Sequence, residues 1–110
     1  MIQIGPRSKV YVATQPVDFR KGFSGLSNIV TNTINRDPLS GHFFVFRNKR
    51  GTSVKIICFD GRICWTINAQ FAQGKLSWWP QVENIDASQL MGLLSQSTKM
   101  EVSPPFREVS

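Results

Sequence analysis

The chain has 110 residues, 41% of them apolar and 18% charged, which is one globular domain's worth of chain and too little for two independent cores. A chain of this size buries roughly 60–70% of its unfolded surface, enough to fold without metal or disulfide staples. No apolar run is long enough to span a bilayer. A membrane protein, a collagen-like chain, a disulfide scaffold and a multidomain enzyme are therefore not expected. Thirteen Lys and Arg oppose seven Asp and Glu, a net charge of +6. Residues 1–82 carry eleven basic and three acidic side chains, whereas 83–110 carry two and four. The body is thus more basic than the whole, which suits either an anionic partner, nucleic acid first, or simply a soluble surface with surplus cations. The opening residues MIQIGPRSKV lack the apolar core of a secretory signal, so a cytoplasmic location is expected.

In chain order, Lys9 to Ala13 reads as a short strand with Val10 and Val12 on one face. Gln15-Pro16 ends it, and Asp18 is placed to cap a helix. Phe19, Phe23, Leu26, Val30 and Ile34 recur at helical spacing and form one apolar stripe. Gly22, Gly25, Thr31 and Thr33 are weak helix formers, so this helix depends on its packed stripe. Asp37-Pro38 and Ser40-Gly41 turn the chain, and His42 to Arg47 is a strand by its aromatic and β-branched content. Asn48 to Gly51 is a turn and Ser53 to Phe59 the next strand. Asp60-Gly61 signals a two-residue type I′ hairpin returning through Arg62 to Asn68. Pairing Phe59 with Arg62 puts Val54, Ile56, Cys58, Ile63, Trp65 and Ile67 on one apolar face. Lys55, Ile57, Phe59, Arg62, Cys64 and Thr66 fall on a mixed, half-wet face. Gly74 to Trp79 adds a candidate fourth strand of the meander, ended by Pro80. Asp86 or Ser88 can cap a short second helix bearing Leu90, Leu93 and Leu94. Residues 97–110, with Pro104-Pro105, read as a flexible tail beyond a single domain at 1–96. The expected fold is a two-layer α+β domain: an antiparallel meander of four to five strands on one main helix, plus a short C-terminal helix.

Little in this chain is arranged for catalysis or metal binding. Cys58 and Cys64 fall on opposite faces of the hairpin, so they are not expected to bridge. One histidine, His42, and no CxxC leave too few ligands for zinc. The acids are scattered, and most have a local use: Asp18 and Asp86 as caps, Asp37 before Pro38, Asp60 in its turn. No catalytic residue, cofactor or small-molecule substrate is assigned. The informative groups are basic. Arg20 and Lys21 fall in the expected first turn of the first helix, where the macrodipole disfavours cations by about 0.3–1 kcal/mol each. Cations tolerated beside free backbone N–H groups suit a phosphate site; the alternative is that they are simply solvated and the small penalty is carried. Arg47, Lys49 and Arg50 surround the first hairpin turn and Lys55 follows on the next strand. Such a turn can track a phosphate backbone, or keep a sheet edge soluble. Phe44 and Phe46 lie beside Lys55 or beside Val54 and Ile56 according to loop length; core packing is the commoner fate of phenylalanine, base stacking the alternative.

The segments PVDFRKGFSGL (Pro16 to Leu26) and DPLSGHFFVFRNKRGTSVK (Asp37 to Lys55) resemble the small accessory protein, TnpB or Orf2, of IS66-type bacterial insertion sequences. The resemblance continues through Phe59-Asp60-Gly61 and covers roughly residues 9–96. It implies a role in transposition beside a separately encoded transposase that carries the catalytic acids. One segment departs. Where the family pattern reads K-R-L-E-x-G-x-F-x-W-P, this chain has Ala69-Gln70-Phe71-Ala72, then Gly74 and Trp78-Trp79-Pro80; if the family's charged segment contacts DNA or the transposase, this chain has lost or altered that contact.

The function expected is that of a non-catalytic accessory protein binding the element's DNA ends, the transposase, or both. The expected basic surface comprises Arg20, Lys21, Arg47, Lys49, Arg50 and Lys55. The alternative is a protein–protein adaptor docking the transposase through an apolar patch at Trp78 and Trp79, without DNA contact, although an aromatic strand end closing the core is the commoner use of such a pair. A metal-dependent nuclease would need at least two of Asp18, Asp37 and Asp60 in one cluster.

Overall fold

Strand β2 (Phe43–Arg47) lies at the centre of the sheet and is buried on both faces, which is why FFVF shows no polar alternation. The computed structural model describes residues 9–96. They form β1 (Val10–Val12), α1 (Phe23–Ile29) running into a π-helical turn at Val30–Ile34, β2, β3 (Ser53–Phe59), β4 (Cys64–Gln70), β5 (Asn84–Ile85) and α2 (Ala87–Leu94). The sheet order is β4-β3-β2-β1-β5. The expected tail at 97–110 lies outside the described residues.

The α+β class expected from the sequence is the one observed, with one main helix and a short C-terminal one. Two details differ. The meander β2-β3-β4 is antiparallel, but β1 runs parallel to β2, so the sheet is mixed. A helical connection carries the chain from β1 to β2 and returns it in the same direction. The helices also cover opposite faces of the sheet rather than one. Val10, Val12, Phe43, Val45, Val54, Ile56 and Cys58 pack with Leu90 and Leu93 of α2. Tyr11, Phe44, Phe46 and Ile57 pack with Leu26, Val30 and Ile34.

The helical stripe is where its spacing put it, with Leu26, Val30 and Ile34 buried and Phe19 and Phe23 packed against them. Its start is not. Asp18 caps nothing: α1 begins at Phe23 with Gly22 as N-cap, and no side chain caps it. The helix ends on Asn35 in the left-handed region (φ 62), a conformation asparagine tolerates. At the second helix Asp86 and Gln89 form a reciprocal capping box.

The hairpin register is shifted by two residues from the expected one. Phe59 pairs with Cys64, not Arg62. The turn centres on Gly61-Arg62, where Gly61 alone has positive φ (100°), the pattern of a type II′ rather than a type I′ turn. Asp60 causes the shift. Its Oδ1 accepts from Arg62 N at 2.9 Å and Ile63 N at 2.8 Å, and its Oδ2 accepts from Trp65 Nε1 at 2.7 Å. A two-residue slip preserves side-chain parity, so the two faces stand as expected. Cys58 is buried and Cys64 exposed, both as free thiols. The outer end of the apolar face is nevertheless uncovered, because Ile63 and Ile67 are 43% and 39% exposed.

Gly74 to Trp79 is not a strand. It is an irregular crossing from β4 to β5, pinned by Leu76 N to Gly51 O (2.7 Å) and Trp79 Nε1 to Ala13 O (2.8 Å).

Candidate nucleic-acid interface

Three chain segments bring cations to one end of the sheet. After β1 the chain stays beside β2, with Ala13 N donating to Val45 O and Val17 N to Arg47 O, each at 3.0 Å. Asp18 then turns it: its Oδ1 accepts from Arg20 N at 2.9 Å, and Lys21 N donates to Asp18 O at 3.1 Å. Arg20 and Lys21 therefore precede α1 by a turn of their own, and the macrodipole argument does not apply to them. Arg20 forks onto Asp18, Nε to Oδ1 at 3.1 Å and Nη2 to Oδ2 at 2.9 Å. Those bonds hold the Asp18 carboxyl down at about 2 and push the Arg20 guanidinium up. The pair is exposed, with the Arg20 side chain 90% accessible.

The second segment is the connection between β2 and β3. Asn48 builds it: Oδ1 accepts from Thr52 N at 2.9 Å and Ser53 N at 3.2 Å, while Nδ2 donates to Thr52 Oγ1 at 2.9 Å. Gly51 takes positive φ (73°) and donates to Asn48 O at 3.1 Å. A tied loop thus holds Lys49 and Arg50 out in solvent.

The six expected cations divide into two kinds. Arg20, Lys21, Lys49 and Arg50 are exposed. Arg47 and Lys55 are half-buried and engaged with the protein itself. The Arg47 guanidinium lies 5.7 Å from the centroid of the Trp79 ring, with its Nε buried and unpartnered. Lys55 Nζ donates to Phe19 O at 3.2 Å and sits 5.0 Å from the Phe19 ring centroid, fastening the Asp18–Lys21 turn to β3.

Two open clefts flank the Asn48–Gly51 loop. One, of about 900 Å³, is lined by Asp18, Arg20, Lys49, Arg50, Thr52 and Gln70 among others. The other, of about 320 Å³, is lined by Arg47, Lys49, Arg50, Lys75, Trp78 and Trp79 among others. Lys75 escaped sequence reasoning because its segment reads as a strand, whose side chains alternate away from any one site. The single hint was its place beside two tryptophans.

The aromatic residues separate cleanly. Phe44 and Phe46 lie on the Lys55 side of the sheet, opposite Ile57 and Lys55, and both are fully buried, so neither presents a ring to a base. Trp79 is 8% exposed and Trp78 49%. The accessible ring beside the cations is Trp78. The carboxylates are engaged locally: Asp18 by Arg20, Asp37 by the N–H of Leu39, Asp60 by its hairpin. Among the described residues no three His, Cys, Asp or Glu side chains gather as a metal site. No helix of the described residues is long and apolar enough to cross a membrane.

A family model described as IS66 Orf2 like protein matches residues 8–102. Two curated proteins of Sinorhizobium fredii (strain NBRC 101917 / NGR234) are similar to the chain. The uncharacterized protein y4hO is 33% identical over 99 residues, covering 86% of this chain and 85% of y4hO. The uncharacterized protein y4jC is 47% identical over 60 residues, covering 53% of this chain and about half (51%) of y4jC. No solved structure matches.

Proposed function

Since the chain belongs to the IS66 Orf2-like family, and so to the accessory proteins of IS66 transposition, we propose that its basic end binds the phosphate backbone of the element's DNA beside the transposase. Convergence supports this reading: Arg20 from one loop, Lys49 and Arg50 from a second and Lys75 from a third line two adjoining clefts. Asp18, already paired with Arg20, is the acid among their lining residues. Cations held on tied loops contact phosphates without reading bases, so sequence choice falls to the transposase or to DNA shape. The role is positional and involves no chemistry by this chain. Arg47 and Lys55 act in it as braces, setting the two loops that carry the contacting residues. A cytoplasmic location accords with such a partner.

The test is binding of the full chain to short duplex and single-stranded DNA across a salt series, repeated with Lys49→Ala/Arg50→Ala. Each lost phosphate contact on a duplex removes about 0.9 from the slope of log K against log salt, so the double variant is expected to flatten it by about 2. Absence of binding at low salt, or a slope unaltered in the variant, overturns the DNA reading. Salt-insensitive capture of the transposase, lost in Trp78→Ala, would establish the adaptor in its place; the half-exposure of Trp78 supports that second reading.

A further inference from the structure

Strand β4 is one edge of the sheet, and its sequence does nothing to guard that edge. Natural edge strands carry charges, proline or bulges that stop another strand from adding. From Ile63 to Gly74 (ICWTINAQFAQG) there is no charged residue and no proline, and β4 pairs with β3 along all seven residues without a bulge.

The hydrogen-bond phase of the edge follows from its two ends. Asp60 N donates to Ile63 O and Phe71 N to Thr52 O, each across the β3–β4 pairing. In an antiparallel ladder bonded and non-bonded pairs alternate, so Trp65, Ile67 and Ala69 bond inward to β3. Cys64, Thr66, Asn68 and Gln70 therefore aim their backbone N–H and C=O groups outward.

We propose that β4 is a self-association surface whose partner is β4 of a second copy, paired antiparallel about a two-fold axis at Ile67. In that register Cys64 faces Gln70 and Thr66 faces Asn68 of the other copy, and each pair exchanges both its backbone hydrogen bonds. All the outward groups of the strand are then satisfied. The intervening non-bonded positions, where side chains approach closest, set Ile67 on Ile67, Trp65 beside the small Ala69, and Ile63 beside Phe71. This covers the two isoleucines that the fold leaves 43% and 39% exposed. Self-complementarity selects a second copy as occupant, because every outward group and every large-against-small pair above is matched by the strand itself; charge permits it, since in a chain of net charge +6 this neutral strand lets two identical molecules meet with no cation facing a cation. An isologous contact of this kind closes at two chains and joins two five-stranded sheets into one. The inference rests on β4 alone and stands apart from the DNA reading.

The full chain is expected to show a concentration-dependent monomer–dimer equilibrium in sedimentation velocity. Ile67→Lys and Ile67→Glu each place like charges at the two-fold, and each is expected to weaken self-association at least ~10-fold, about 1.4 kcal/mol. Mixing the two variants is expected to restore a heterodimer, because the opposed charges then attract. Position 67 is already exposed, so circular dichroism should show both variants folded. A third variant, Ile67→Cys in a Cys64→Ser background, should form an intermolecular disulfide under mild oxidant, whereas Asn68→Cys in that background should not. A wild-type chain that stays monomeric at every concentration up to about 1 mM overturns the proposal. So does a dimer that persists in Ile67→Lys, or a mixture that fails to pair.

Discussion

Asn48→Ala removes no charge and no buried apolar surface, yet it is expected to impair both stability and DNA binding. The carboxamide makes three hydrogen bonds, at 2.9 and 3.2 Å to the backbone N–H groups of Thr52 and Ser53 and at 2.9 Å to Thr52 Oγ1. At about 0.5–1.5 kcal/mol net for each, the set contributes roughly 1.5–4.5 kcal/mol. The loop is only part-buried, so water recovers some of the two stranded N–H groups, and a loss of about 2 kcal/mol is expected. For a domain of this size that lowers Tm by roughly 8–16 °C. Thermal and urea melts followed by circular dichroism measure it directly. The same variant frees the loop that presents Lys49 and Arg50, so DNA affinity should fall while the salt slope stays near that of the wild type, because the cations remain. A melt within about 0.5 kcal/mol of wild type would refute the account of the loop as a structure built by Asn48. Unchanged affinity together with lost stability would show that loop order is irrelevant to binding.

Leu26→Ala is expected to cost about 2–5 kcal/mol by urea unfolding, since Leu26 is fully buried between the first helix and the sheet. Trp79→Phe keeps an apolar ring but strands the Ala13 carbonyl that the indole N–H bonds at 2.8 Å; a loss of about 1–3 kcal/mol is expected in the same assay. Acid should loosen the hairpin tip. Bonds from Trp65 and from the Ile63 and Arg62 backbone hold Asp60 down to about 2, against an ordinary 3.8. A depressed carboxyl stabilises the fold above its unfolded pKa, and that contribution is lost as pH falls from about 4 through about 2. Tryptophan fluorescence should therefore hold steady from neutral pH to 4 and change below it, and Asp60→Asn should abolish the acid-side change.

What the sequence made legible was set by periodicity. The stripe Leu26, Val30, Ile34 and the split of the β3–β4 hairpin into two faces both depend on side-chain spacing, which tolerates an uncertain boundary. What it concealed depended on a single polar side chain choosing between two local roles. Asp18 reads equally well as a helix cap or as the anchor of a turn, and Arg20 decided for the turn by forking onto its carboxylate. Asp60 moved the hairpin by accepting from Ile63 and Trp65. In the candidate site, Lys49 and Arg50 were evident as a basic turn. Their convergence with Arg20 and Lys75 was not, because it depends on contacts such as Val17 to Arg47 and Leu76 to Gly51 that join distant segments. The burial of Phe44 and Phe46 was likewise settled by loop length: Asn48 N donates to Ser53 O, and the four residues between them, Lys49 to Thr52, set Phe46 opposite Lys55 and turned both rings under the helix.

Strand β1 is held between β2 and β5, so Val10 has neighbours at Phe43 and at Ile85. The β2-β3-β4 meander, by contrast, pairs residues close in sequence. Local loops close at lower entropic cost than distant ones, so the meander is expected to form first and β5, whose one partner strand among the described residues is β1, to settle last. Synthesis reinforces that order, since Ile85 emerges from the ribosome long after Val10. The chain's earliest strand thus waits, apolar and with one edge open, for its second neighbour. That interval of exposure gives aggregation, or a chaperone, a second opening besides the unguarded edge of the finished fold.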